Sequence, residues 1–166
     1  MEPSLVVVFQ DLQRLVALIN DHSTRLVRMK GSVFQLSVSS IQSRLLQLRD
    51  VLNSVVADCF CLGMLAFLTT MFRAPGLETT YGYLGNQLRD CCQKIEISTP
   101  ELQTVMFWLL MISRIAVFKA DPAWLRVRWQ KVAAPGLSWA TARRRLQSVV
   151  WINFIHDEPG RKAFDG

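Results

Sequence analysis

With 166 residues and 18.9 kDa, the chain has room for one compact domain that buries roughly 70 % of its unfolded surface, so its core needs no disulfide or metal staple. Apolar residues make up 51 % and charged residues only 19 %, with nine Phe, five Trp and six Met, which excludes intrinsic disorder for the bulk of the chain. The formal charge of +6 is uneven: residues 1–123 carry 11 basic and 10 acidic groups and residues 124–166 carry 8 and 3, a C-terminal excess that suits an acidic partner, an anionic surface or plain solubility.

Met1-Glu2-Pro3-Ser4 offers no basic lead-in to the short apolar run Leu5 to Phe9, so no secretory signal is expected and the chain is expected to stay inside the cell. Leu5 to Asn20 places Val8, Leu12, Leu15, Val16 and Ile19 at helical spacing, with Gln10, Gln13 and Arg14 on the polar side, and predicts a first amphipathic helix. A basic connector, Asp21 to Gly31, leads to a second such helix over Val33 to Leu48, with Phe34, Val38, Ile41, Leu45 and Leu48 inward. Leu52 to Phe72 is nearly all apolar and predicts a helix in the centre of the fold. Its longest uncharged stretch, Cys59 to Phe72, is short of the ~20 residues that cross a bilayer, and no membrane span is expected.

Arg73-Ala74-Pro75-Gly76 stops that helix, and a fourth follows over Tyr81 to Ile95. Ser98-Thr99-Pro100-Glu101 is a helix start, with Ser98 or Thr99 as the cap, proline in the first turn and glutamate at the positive end. The helix it opens runs through Phe118, buries Leu102, Val105, Met106, Leu109, Ile112 and Ala116, and is the second central helix. Asp121-Pro122 begins a short helix with Trp124, Leu125 and Trp129, which Ala134-Pro135-Gly136 ends. Ser138 caps a last helix through Ile155, with Trp139, Ala142, Leu146, Val149, Val150 and Phe154 inward, closed by Asp157-Glu158-Pro159-Gly160. No segment alternates like a strand, so the reading is an all-α single domain over 1–166, a bundle of about six helices around two apolar ones.

Chemical motifs are few. Cys59-Phe60-Cys61 directs its thiols to divergent sides of a helix, adjacent Cys91-Cys92 does the same, and neither pair has zinc-ligand spacing, so buried thiols and no metal are expected. Phosphate-cradling glycine patterns are absent, and no cofactor is expected. His156-Asp157 is the one pair that a small enzyme would use, but no nucleophile elbow accompanies it, and a histidine at a helix C-terminus ordinarily serves the dipole. Arg143-Arg144-Arg145 is the densest charge cluster: either a solvated face opposite Ala142 and Leu146 or a candidate partner surface. Phe67, Met71, Trp108 and Met111 either pack as core or shape a pocket for a small apolar molecule, which is the carrier alternative.

The C-terminal half adds a pattern of a different kind. Phe107-Trp108-Leu109-Leu110-Met111-Ile112-Ser113 is followed by Trp124 and Trp129, by Ser138-Trp139 and Leu146, and by Val150-Trp151-Ile152, His156-Asp157 and Pro159-Gly160 ahead of Phe164. Over about residues 60–166 this resembles the C-terminal part of the helical regulatory region of fungal zinc-cluster transcription factors. The resemblance implies an all-α, non-enzymatic, nuclear regulatory domain that senses an effector or contacts protein partners, full-length relatives among them; without it, a cytoplasmic location is expected. Such factors usually carry a six-cysteine DNA-binding cluster, which this chain lacks, so direct sequence-specific DNA binding is not expected. Trp108, Trp139, Trp151, His156 and Asp157 are then fold-defining rather than catalytic. Truncating a fully buried Trp151 ring, Trp151→Ala, is expected to cost about 3–5 kcal/mol, and an unchanged urea midpoint would show that the ring does not pack in the core.

Overall fold

The computed structural model describes residues 2–26, 28–72, 82–118 and 120–166. Among these the elements are eight α-helices, and no strand: α1 (Pro3–Thr24), α2 (Gly31–Arg49), α3 (Val55–Thr70), α4 (Gly82–Lys94), α5 (Pro100–Ala116), α6 (Ala123–Val132), α7 (Trp139–Gln147) and α8 (Asn153–Asp165). The all-α reading holds, with eight helices in place of about six. The stop at Arg73-Ala74-Pro75-Gly76 and the Tyr81 start lie outside the described residues.

Local chemistry sets most boundaries. Thr99, not Ser98, caps α5: its backbone is extended and its hydroxyl accepts from the Leu102 N–H at 3.2 Å. Pro100 then occupies a first-turn position whose N–H would have no partner in any helix. Ser138 caps α7 in the same way, accepting from Thr141 N–H at 3.3 Å. Ser54 caps α3 through Ala57 N–H, so α3 starts at Val55 rather than at Leu52.

Packing is densest where α3 lies on α5; α3 also meets α1, α2 and α4, and α5 also meets α4, α6, α7 and α8. From Ala57 to Thr70 every α3 side chain except Asp58, Leu65 and Thr69 is buried, and from Met106 to Ala116 every α5 side chain except Arg114 is. Each fully buried Leu, Phe or Met there contributes about 1.5–3 kcal/mol. The helices touch at Gly63, where a Cβ would stand 2.3 Å from Leu109 Cδ2 and 2.8 Å from Trp108 Cζ3.

The last helix of the sequence reading is two helices. Ser148 to Ile152 breaks it, and α8 continues through Pro159 to Asp165 instead of closing there. Phe154, expected inward, is 62 % exposed. The break is a matter of hydrogen bonds. Val149, Val150, Trp151 and Ile152 are all buried, and side chains hold the first three carbonyls and the Ile152 N–H, while backbone bonds hold the Val149 N–H (to Leu146 O, 3.1 Å) and the Ile152 carbonyl (from His156 N–H, 2.9 Å). Gln13 Nε2 donates to Val149 O (2.9 Å), Trp108 Nε1 to Val150 O (2.8 Å) and Asn20 Nδ2 to Trp151 O (2.9 Å). Asn20 Oδ1 also accepts from Asn153 N–H at 3.0 Å, and His156 Nδ1 accepts from Ile152 N–H at 3.0 Å. Pro159 lies inside α8, and the next residue, Gly160, is packed closely: a Cβ there would meet the Trp151 ring at 2.8 Å and the Trp139 ring at 3.0 Å.

Gly63→Ala is expected to destabilise the chain by about 1–3 kcal/mol through overpacking against the Trp108 ring, although alanine alone would favour the helix by roughly 1 kcal/mol. Urea unfolding measures the net effect, and a midpoint at or above that of the parent chain would mean that α3 and α5 can part to admit the methyl group.

Candidate functional site

The residues of the Trp151-to-Gly160 pattern come together at the junction of α3, α7 and α8. Trp151 is 2 % exposed, and its indole N–H donates to Asp157 Oδ1 at 2.8 Å. Arg143 of α7 clasps the same carboxylate through Nε (2.9 Å) and Nη2 (2.8 Å), a bidentate, charge-assisted pair. Burial opposes ionisation of Asp157, but Arg143 and the Trp151 N–H outweigh it and hold the carboxyl below its ordinary value. The same pair raises the Arg143 guanidinium.

His156 is in the first turn of α8, not at a helix C-terminus, and has no solvent-exposed surface. Because Nδ1 accepts from Ile152 N–H, the ring proton sits on Nε2 and is donated to Thr70 Oγ1 at 2.7 Å, while the Thr70 hydroxyl donates to Phe67 O at 2.6 Å. Burial lowers the His156 pKa to about 4, so the ring is neutral at physiological pH. A catalytic pair would need to face a cleft. His156 instead lies between the Phe67 and Trp151 rings, each with its centroid 4.9 Å away, and Asp157 is committed to Arg143 and Trp151.

The arginine triplet is neither one solvated face nor one free surface. Arg143 is paired with Asp157, and Arg145 lies over the Phe107 ring at 4.6 Å and donates to Val132 O at 3.0 Å, burial lowering its pKa. Arg144 is the exposed member. Of the candidate pocket residues, Phe67, Trp108 and Met111 are fully buried and Met71 is half-buried. Trp108 packs on Phe67 (6.2 Å between centroids) and on Phe60 (5.8 Å), and Gly63 closes the α3–α5 contact beside it, so rings fill this region.

Among the described residues no group of three or more His, Cys, Asp or Glu side chains could hold a metal, and no helix is long and apolar enough to cross a membrane. Cys59, Cys61 and Cys92 are buried and Cys91 is half-buried.

The sequence reading passed over the surface of α1 and α2. Among the described residues, eight of the twelve exposed large apolar side chains fall at or before Val55, Leu18 (42 %) and Leu36 (72 %) among them. Leu15, Leu18, Leu36 and Ile41 line a groove of about 470 Å³ between the two helices. At its rim Arg14 and Arg44 both reach Asp11, at 3.0 and 2.7 Å, two positive charges around one negative. Leu18 and Leu36 show no motif; the signal for them is an apolar residue just outside each helix's inward stripe. Gln13, read as part of the polar side of the first helix, bonds the Val149 carbonyl instead, and Asn20 joins it from the same face, seven residues on.

None of the protein-family models, curated proteins or solved structures compared with the chain matches it.

Neutral, buried His156 makes stability pH-dependent with a definite sign. The unfolded ring protonates below about 6.5 and the folded one only near 4, so its contribution is complete above pH 6.5 and is lost as pH falls towards 4. The span corresponds to about 3 kcal/mol. His156→Asn, which keeps an acceptor for the Ile152 N–H but cannot charge, is expected to flatten the pH dependence of the urea midpoint between pH 6.5 and pH 4.5. An unaltered slope would mean that His156 is not the titrating group.

Proposed function

We propose that the chain is a non-enzymatic, transcription-regulator-like interaction module that acts in the nucleus through protein partners, full-length relatives included, and not through its own contacts with DNA bases. The C-terminal resemblance supports the class. The groove between α1 and α2 carries the reading: the exposed side chains of Leu18 and Leu36 lie along it and the guanidinium groups of Arg14 and Arg44 stand at its rim, the pairing of apolar floor and basic edge that suits an amphipathic helix. Its occupant is an amphipathic helix of the partner, Leu-like along one side to fill the groove, with acidic flanks to meet Arg14 and Arg44. The chain's net charge of +6 favours the same sign of partner. Within the module α3 and α5 act as the central pair, a reading supported by their burial, and the Trp151, His156 and Asp157 cluster serves as scaffold behind the docking face.

A model peptide helix with a leucine face and Asp/Glu flanks, titrated into the isotope-labelled chain, is expected to shift backbone amides of α1 and α2 and to saturate. Leu18→Asp combined with Leu36→Asp alters exposed positions, and so is expected to leave the helical circular dichroism unchanged while weakening the peptide tenfold or more, since each docked leucine contributes at least about 1.5 kcal/mol. Equal binding by the double variant would overturn the reading. So would native mass spectra of the purified chain with a retained small apolar molecule, which would make the protein a carrier.

A further inference from the structure

Two buried sulfurs from different helices touch where α4 packs on α3. Cys59 Sγ of α3 stands 3.6 Å from Cys92 Sγ of α4, and neither side chain has solvent-exposed surface. One residue earlier on each helix a second contact runs beside the first: the Cys91 thiol donates to Asp58 Oδ2 at 3.5 Å. Successive helix positions lie about 100° apart, so the docking that turns Cys92 in towards a sulfur turns Cys91 out towards a carboxylate. Arg49 Nε holds the other oxygen of that carboxylate at 3.1 Å. Cys61 is engaged elsewhere, donating to Leu45 O of α2 at 3.3 Å.

The two helices are held very unequally. Of its sixteen residues α3 buries eleven, whereas α4 buries only Gly85, Leu88 and Cys92 of its thirteen. Helices with few buried apolar contacts open locally at a fraction of the global free energy of unfolding. Lifting α4 carries Cys92 into solvent and uncovers the Cys59 sulfur it lies against, so the pair is sealed only while α4 is seated. A disulfide needs sulfurs about 2.05 Å apart, so the seated pair has to approach by about 1.5 Å, a distance that rotation of the two side chains supplies.

We propose that Cys59 and Cys92 form a reversible disulfide that locks α4 onto α3, made and broken by exchange with low-molecular-weight disulfides and thiols. When α4 lifts, one thiol of the pair loses its proton and its sulfur attacks a sulfur of the small disulfide. A mixed disulfide forms, the small molecule's own S–S bond breaks, and half of it leaves as a thiolate. The bulky adduct keeps α4 from reseating until the second cysteine, deprotonated in turn, attacks the protein sulfur and expels the other half. Each departing thiolate takes up one of the two protons. Two cysteine thiols lose two electrons in all, and one small disulfide becomes two small thiols. Excess small thiol reverses both steps, so occupancy of the lock follows the thiol–disulfide balance around the chain. The bond joins positions 33 apart in sequence and stops α4 from leaving α3.

The full, folded chain is equilibrated with mixtures of glutathione disulfide and glutathione, alkylated and digested with trypsin without reduction, which places Cys59 and Cys61 in peptide 50–73 and Cys91 and Cys92 in peptide 90–94. The expected product is those two peptides joined, lighter by two hydrogens, in an amount that rises with the disulfide share and vanishes in excess dithiothreitol. Fragmentation of the joined peptides is expected to place the bond between Cys59 and Cys92. Cys59→Ala and Cys92→Ala are each expected to abolish the link, and Cys61→Ala and Cys91→Ala to keep it. The parent-chain digest needs no variant, so a variant that fails to fold leaves the test standing. Hydrogen exchange is expected to be faster in α4 than in α5 of the reduced chain and to slow several-fold in α4 on oxidation. No joined peptide in glutathione disulfide alone, a bond through Cys61 or Cys91, a link between chains, a bond formed only after urea unfolds the chain, or α4 exchange unaltered by the bond would overturn the proposal.

Discussion

Between α7 and α8 the side chains of Val149 to Ile152 are buried and the backbone has no continuous helical ladder. Each buried amide or carbonyl left unpaired there would cost about 1–3 kcal/mol. Four side chains from three helices meet that demand: Gln13 and Asn20 from α1, Trp108 from α5 and His156 from α8. This constraint accounts for the position of α1 against the C-terminal half, for the tilt of the Trp108 indole towards Val150, and for a histidine kept neutral in the core. It also explains how an apolar run can be non-helical: Val149 to Ile152 surrenders helical hydrogen bonds and recovers them from partners far along the chain.

The Trp151, His156 and Asp157 pattern is the second half of the same solution. The indole N–H needs an acceptor once Trp151 is buried, and Asp157 supplies it; the carboxylate then needs a counter-charge, and Arg143 supplies that. Gly160 leaves space for the two indoles, which explains why a glycine sits inside α8. The arginine triplet divides along these lines, one member neutralising Asp157, one laid over Phe107, and one left to solvent.

What was legible in the sequence was what is decided within a few residues. Thr99-Pro100 and Ser138 mark helix starts because a cap hydroxyl and a proline act on the adjacent turn, and the apolar stripes of α1, α2 and α5 show through 3.6-residue spacing. The split between α7 and α8 was not legible, because Leu146, Val149 and Val150 continue a helical pattern and all but one of the side-chain bonds that hold the break come from 42 to 136 positions away. Nothing local placed Cys59 against Cys92, since that contact depends on how α4 docks on α3. The α1–α2 groove is illegible for a related reason: Leu18 and Leu36 lie just outside the inward stripes, and only the docking of α2 on α1 places them along one groove.

The clasp of α1 on Val149 to Asn153 also bears on the order in which the fold can be completed. Synthesis delivers α1 more than 130 positions before its amide partners, and at about 5–20 residues per second the two are separated by several seconds or more. Until Val149 to Ile152 has left the ribosome, Gln13 and Asn20 have nothing to bind and the inner face of α1 has only part of its cover. Closing so long a loop is an entropic step that local helix formation cannot anticipate. The growing chain thus holds an unfinished core until Val149 to Asn153 has been made.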